Sequence, residues 1–329
     1  MFNDFFFRVE GLNSWVAISG IKYDNSVDIL DPSISYSMPE DIIIPIDDTF
    51  KLAVTYQAHR TMCLHELGAK DSAKIEQNTH LKIFSDNNLP FSDFMNFGKK
   101  IANLLVFAIN EQVSMEEITV HKEGLSVLCV NGEESNIPQD IKVYTNQILH
   151  TPNLKEISWD TMMFRYRDID NIDDTINRWL SMYETIDPSL DLYFSTIFSK
   201  DKYVKSQFLM LAQALETLHN RLNLGVLYER LDKNRIYFSE RLEKLCQEFI
   251  DMKIYTKEEM DDFTKKIKDT RNYLTHYDKS KEDNTIVDDE YQVYINTMKW
   301  LLQIHFLKLL GFEQDKIYKF LRFDQWRRA

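Results

Sequence analysis

Six apolar residues, Val204, Phe208, Leu211, Leu215, Leu218 and Leu222, recur at spacings of four, three, four, three and four. A strand alternates its faces every second residue and cannot collect such a set on one side, whereas an α-helix stacks them along a single stripe. A stripe that long must be buried, so the chain after about residue 201 is bound to a helical bundle. Asn223 and Gly225 supply the residues that tolerate the left-handed conformation of a helix end. Ser239 starts a second helix with Leu242, Leu245, Cys246 and Phe249 inward. Thr256 and Glu259 form a capping box for a third, whose inward stripe is Met260, Phe263, Ile267, Leu274 and Tyr277, with Thr270 at the missing step. Asp288 caps a fourth through Tyr291, Met298 and Leu309, stopped by Gly311, and a short piece from Asp315 to Phe323 closes the bundle.

The chain before this point has a different period. Phe5 to Val9, Ser14 to Tyr23, Ser33 to Tyr36, Ile42 to Ile46, Lys51 to Gln57, Thr61 to Leu67 and Lys74 to Phe84 are β-branched and aromatic runs punctuated by Asp, Asn, Pro and Gly. Phe94, Phe97, Ile101, Leu104 and Ala108 then mark a helix capped by Ser92 or Asp93. Strands return at Ile118 to Val120, Leu125 to Val130 and Ile141 to Val143, with Asn131-Gly132 as a turn, and again at Met162 to Tyr166. Asp173 or Asp174 opens a helix closed by Pro188, and Ser189 to Phe198 connects to the bundle. The expected fold class is α+β: a mixed, strand-rich domain over 1–198, then an all-α bundle over 199–329.

Charge separates the same two parts. Residues 201–329 carry 23 Lys+Arg against 22 Asp+Glu, a net +1, so the first 200 residues hold −14 and account for the whole of the net −13. Such an acidic part repels a phosphate backbone, and nucleic-acid work therefore belongs to the bundle. The three cysteines, Cys63, Cys129 and Cys246, are scattered and odd in number, which suits a reducing compartment. The Phe5-Phe6-Phe7 run is too short for a membrane span or a secretory leader. A cytoplasmic location with no membrane partner is expected.

The third helix carries the chemistry. At about 100° per residue, Arg271, Asn272 and His276 fall away from the inward stripe, on the same arc as Lys265, Lys268 and Lys279. A histidine turned away from its own helix's core is not there for packing. Glu216 sits on the flank of the first helix, as a structural ion pair or as support for the site, while His219 lies nearer the seam as a packed histidine. Asp261 and Asp269 interrupt the basic stripe. His59, His65 and His80 show no metal-ligand spacing, and no cluster argues for a cofactor.

Arg271-Asn272-Tyr273-Leu274-Thr275-His276 resembles the R-x(4–6)-H signature of HEPN ribonucleases, including the polar residue after the arginine. Phe208 to His219 (FLMLAQALETLH) resembles the opening helix of HEPN domains in the ApeA group of anti-phage proteins. Phe7 to Trp15 (FRVEGLNSW) is similar to the "F…L..W" region of that group's N-terminal domain. The resemblance covers most of the chain, with two departures: Tyr277 follows His276 directly, and the group's N-terminal domain usually has additional β structure before this point, so that a short member or a fragment is expected.

The resemblance implies a metal-independent endoribonuclease of abortive anti-phage defence, cutting RNA such as tRNA. The residue types suit it, because RNA brings its own nucleophile, the 2′-OH. His276 would serve as base or acid near neutral pH. Arg271 would hold the extra charge of the phosphate, with Asn272 orienting the imidazole or touching phosphate. Glu216 and Tyr277 would support the site, and Lys265, Lys268 and Lys279 would contact the RNA backbone. Arg271 and His276 lie about 140° apart on a regular helix, so a homodimer pairing this face about a two-fold axis is expected to complete the site. The N-terminal domain is expected to be a sensor for a phage-derived trigger, or an acidic cover over the basic face. The competing class is a non-catalytic HEPN dimerisation or partner-binding scaffold, which has no need of an intact Arg/His pair.

Overall fold

The computed structural model describes residues 1–24, 33–63, 72–128, 134–144, 157–199, 203–227, 236–277 and 279–323. They form an α+β protein of two compact units, Met1–Asp174 and Thr175–Ala329.

The first unit is built on a six-stranded antiparallel sheet. Its strands are β1 (Phe2–Val9), β4 (Ile42–Pro45), β5 (Lys51–Cys63), β6 (Ser72–Leu89), β7 (Met115–His121) and β10 (Ile141–Lys142), in the order β10-β7-β1-β6-β5-β4. Two small ribbons accompany it, β2 (Ile21–Asp24) with β3 (Ser33–Tyr36), and β8 (Ser126–Leu128) with β9 (Glu134–Pro138). Alternation sorts β1 cleanly: Phe5, Phe7 and Val9 are buried, whereas Asp4, Phe6 and Arg8 are only half-buried. The buried face meets α2 (Phe91–Ile109), where Gly98 permits the approach; a Cβ there would stand 3.0 Å from the Phe5 ring.

Several sequence expectations for this unit are corrected. The run from Ser14 to Tyr23 is not one strand. Gly11, at φ 81°, turns the chain into the short helix α1 (Leu12–Val16), which buries Leu12, Trp15 and Val16 before β2 begins. Those three share a helical spacing that the β-branched and aromatic composition concealed. Nor is Met162 to Tyr166 a strand. The Met163 and Phe164 amides both donate to the Ala108 carbonyl, at 2.8 and 3.2 Å, near the C-terminal end of α2, and the Trp15 indole donates to the Phe164 carbonyl at 3.1 Å. The segment satisfies a helix end and an indole instead of a ladder. Lys51 to Cys63 forms a single strand where two were expected, and Pro90, not Ser92 or Asp93, stands at the cap of α2. The Asn131-Gly132 turn lies outside the described residues.

The second unit is helical: α3 (Ile172–Phe198), α4 (Val204–Leu222), α5 (Phe238–Asp251), α6 (Lys257–His276), α7 (Tyr291–Leu309) and α8 (Gln314–Phe320). The seam of α4 is buried over its middle four positions, Phe208, Leu211, Leu215 and Leu218, whereas Val204 at its start is exposed and Leu222 at its end is half-buried, so the stripe is shorter at both ends than its spacing predicts. Asn223, at φ 51°, ends that helix. Pro188 does not close a helix. It lies inside α3, which kinks at Ile186 (φ −125°) and continues to Phe198. Proline lacks an N–H and crowds the preceding turn, and a bend accommodates both. Asp173 and Asp174 lie in the first turn of α3, and α7 is capped at Glu290 instead of Asp288. Helix α7 is the centre of the bundle, since Leu301 to Leu307 are all buried and leave no solvent face. No helix among the described residues is long and apolar enough to cross a membrane.

Candidate functional site

Helix α6 begins as its sequence predicts. Thr256 accepts from the Glu259 amide at 3.2 Å, and Glu259 accepts from the Thr256 amide at 2.7 Å. Met260, Phe263 and Ile267 face inward. Thr270 does fill the apolar step: it is fully buried, and its hydroxyl accepts from the Ile286 amide at 2.9 Å. The stripe then runs out. Leu274 is half-buried, and Tyr277, expected inward, is 73% exposed. Its residue is the left-handed C-cap (φ 51°), whose amide donates to the Tyr273 carbonyl at 2.6 Å. The chain leaves the helix there, so the last apolar position has nothing to pack on. The Tyr277 ring lies 6.0 Å from that of Tyr273, whose hydroxyl donates to Glu282 at 3.1 Å.

Arg271 is the fixed point of the outer face. Its Nη2 donates to a Glu216 carboxylate oxygen at 2.7 Å, and its guanidinium lies 4.6 Å from the centre of the Phe238 ring. The two charged side chains are 26% and 21% exposed, so the pair is screened on one side and open on the other. A guanidinium carries five N–H donors in a rigid fork. One engaged by Glu216 and a face against Phe238 fix its orientation while other donors remain for a ligand. Around it opens a groove of about 500 Å3 lined by Glu216, Ile236, Tyr237, Phe238, Ser239, Lys268, Arg271 and Asn272. The groove also receives the first turn of α5, where the positive end of a helix dipole adds to the cationic field.

The geometry thus gathers Glu216, Lys268, Arg271 and Asn272 at one groove and leaves the other candidates outside its wall. His276 is exposed in the last turn of α6, five residues beyond Arg271, hence about 7.5 Å further along the axis. Lys265 lines the adjoining part of the cleft. Lys268 reaches Asp269 at 3.5 Å. Lys279 opens a short 3-10 turn (Lys279–Asn284), and its side chain lies outside the described residues. Phe238 was missed by the sequence reading; it looked like the residue before a helix start, and nothing in its local pattern tells that its ring faces a guanidinium.

The packed histidines are of another kind. His219 is buried, its Nε2–H donating to the Gly225 carbonyl at 2.6 Å and its Nδ1 accepting from Arg241 at 3.2 Å, and burial foremost pushes its pKa down. His305, wholly enclosed, is pushed down to about 4, chiefly by burial. Both are held neutral near pH 7 and sit away from the groove's lining. Among the described residues, no group of three or more His, Cys, Asp or Glu is placed to hold a metal ion.

A helical unit with an Arg-x4-His face, preceded by a strand-rich unit, is the class of protein that this geometry defines. Residues 209–316 match the family model described as Apea-like HEPN, and residues 1–179 the one described as ApeA N-terminal domain 1. The chain belongs to the ApeA-type HEPN family. Membership points to an anti-phage, nuclease-like role. No curated protein and no solved structure matches the chain.

Proposed function

We propose that this protein is an endoribonuclease of anti-phage defence that cuts RNA, tRNA among the substrates, by attack of the substrate's own 2′-OH on the adjoining phosphate. The observation that carries this reading is the held guanidinium of Arg271, steadied by Glu216 and Phe238 at the wall of an open, cationic groove. Arg271 binds the non-bridging phosphate oxygens and takes up the charge that grows as the phosphorus becomes five-coordinate. His276 accepts the 2′-hydroxyl proton, and a protonated imidazole returns one to the departing 5′ oxygen. The 2′ oxygen–phosphorus bond forms as the bond to the 5′ oxygen breaks, which leaves a 2′,3′-cyclic phosphate and a 5′-hydroxyl. Asn272 lies four residues before His276, one turn away on the same side, and contacts phosphate or orients the ring. Lys265, Lys268 and Lys279 hold the flanking backbone, and Tyr277, next to His276 at the end of α6, supports the site. Glu216 is a positioning residue acting through Arg271.

Arg271 and His276 lie about 140° apart around α6, awkward for gripping one phosphate, and in this reading a second copy of the chain across a two-fold axis completes the site. The nuclease activity resides in residues 199–329, and the acidic region 1–198 responds to a phage-derived trigger in the cytoplasm. A pure scaffold predicts no use for the imidazole. Cells expressing the protein or its His276→Ala variant at equal levels, challenged with phage, separate the two: the nuclease reading expects protection only from the parent. Equal protection by both would favour the scaffold.

A further inference from the structure

The cleft between α5 and α6 does not stop at Arg271. Ser239 and Lys268, which line the first groove, also line a second space of about 360 Å3 that continues past Glu243, Lys257, Asp261 and Lys265. A third, smaller space of about 140 Å3 again shares Glu243, Lys257 and Asp261 and reaches Ile250 in the last turn of α5. The three spaces therefore form one open channel along the seam of the two helices, with Lys257, Asp261 and Lys265 exposed at its edge and the start of α5 beside the end of α6. From Asn272 back to Lys257 the helix advances about 22 Å at 1.5 Å per residue, a length that holds roughly three nucleotides of extended single strand.

The side chains along this channel fall into two chemistries. Lys257, Lys265, Lys268 and Arg271 all come from α6 and suit a phosphate backbone running beside that helix. Glu243 from α5 and Asp261 from α6 are carboxylates in the midst of them, and they would repel phosphate. Burial, foremost, pushes the Glu243 carboxyl above its ordinary range; Asp261 and Glu240 add to this, while Lys257 and Lys268 oppose it. A partly desolvated carboxylate is stabilised by N–H donors. The N–H donors that a nucleic acid can bring are those of its bases, and a carboxylate reads them by accepting, whereas the ribose 2′-OH is a donor common to every nucleotide and gives no base preference. Guanine alone presents two adjacent, parallel donors on its Watson–Crick edge, N1–H and the N2 amino group, which match the two oxygens of one carboxylate. Such an edge is free only when the base is unpaired.

We propose that the α5/α6 channel is a strand-binding subsite that reads an unpaired guanine through Glu243 and Asp261, roughly one to three nucleotides from the phosphate held at Arg271. This rests on the nuclease reading above and adds its substrate preference. The bases that lack the paired donors fill the same space without satisfying the carboxylate.

The test is binding of the full chain to fluorescent single-stranded oligonucleotides whose riboses are 2′-O-methylated and so resist cleavage. Each position carries guanine or inosine, which lacks only the N2 amino group. Guanine at one fixed position is expected to bind about tenfold tighter than inosine, and Glu243→Gln is expected to bring the ratio close to one. Asp261→Asn, on the other helix, is expected to reduce it as well. Equal binding of guanine and inosine at every position would overturn the proposal, as would a preference unchanged in both variants. Unmodified oligonucleotides assayed in parallel keep the two claims apart. Guanine-selective binding with no cleavage leaves the subsite standing and removes the nuclease; cleavage without base preference does the reverse.

Discussion

The His276→Ala variant is expected to cut RNA at least about a hundredfold more slowly than the parent, the lower end of what a positioned acid–base group contributes. His276 carries none of the core, being exposed in the last turn of α6, so its removal should leave folding intact. Substitution of an exposed residue away from packing costs little stability, and a loss of activity with an unchanged melting temperature is therefore read as chemistry. Single-turnover cleavage of an end-labelled RNA measures it. A rate within threefold of the parent would show that the imidazole takes no part in proton transfer.

Mixing tests how the site is assembled, and its expected effect is as large. Arg271→Ala and His276→Ala proteins should each be inactive alone, the first because a preorganised charge at the phosphate contributes on the order of a hundredfold or more. When the two are unfolded together and refolded, random pairing places the surviving arginine of one copy opposite the surviving histidine of the other. About half the dimers are then mixed and one of their two sites is intact, so roughly a quarter of the parental rate should return. A site built within one chain would recover nothing. Arg271→Ala also leaves Glu216 facing the groove without its partner, at 21% exposure, so the melting temperature of that variant belongs beside its rate.

Particular residues show where the sequence sufficed. The seam of α4 was legible because complete burial of Phe208, Leu211, Leu215 and Leu218 demands the spacing that was seen. The capping box at Thr256 and the inward Thr270 were legible for the same local reason, since each depends on residues within a turn or two. The misreadings have the opposite origin. Met163 and Phe164 looked like strand because their side chains are strand-like, yet their amides are claimed by Ala108, more than fifty residues earlier. Tyr277 looked inward because its angle on the helix is right, but the helix ends one residue before it.

The site divides along the same line. The polar face of α6 could be drawn on a helical projection from residue types alone, and the Phe7, Leu12 and Trp15 signature of the first unit proves to be three buried residues of the β1-to-α1 corner. What holds Arg271 could not be drawn. Glu216 is fifty-five residues away on α4 and Phe238 thirty-three away on α5, and only the packing of three helices brings a carboxylate and a ring to the same guanidinium. A pair separated that far in sequence leaves no local period to read.

The central claim, that the Arg271/His276 face uses the 2′-hydroxyl of RNA as its nucleophile, is tested most directly by the chemistry of the ends it leaves. The purified full chain is incubated with total RNA in EDTA, and the fragments are analysed for their terminal groups. The expected ends are 2′,3′-cyclic phosphates and 5′-hydroxyls, absent when His276→Ala protein is used. Fragments ending in 3′-hydroxyl and 5′-phosphate, or RNA left whole by protein that protects cells from phage, would contradict it.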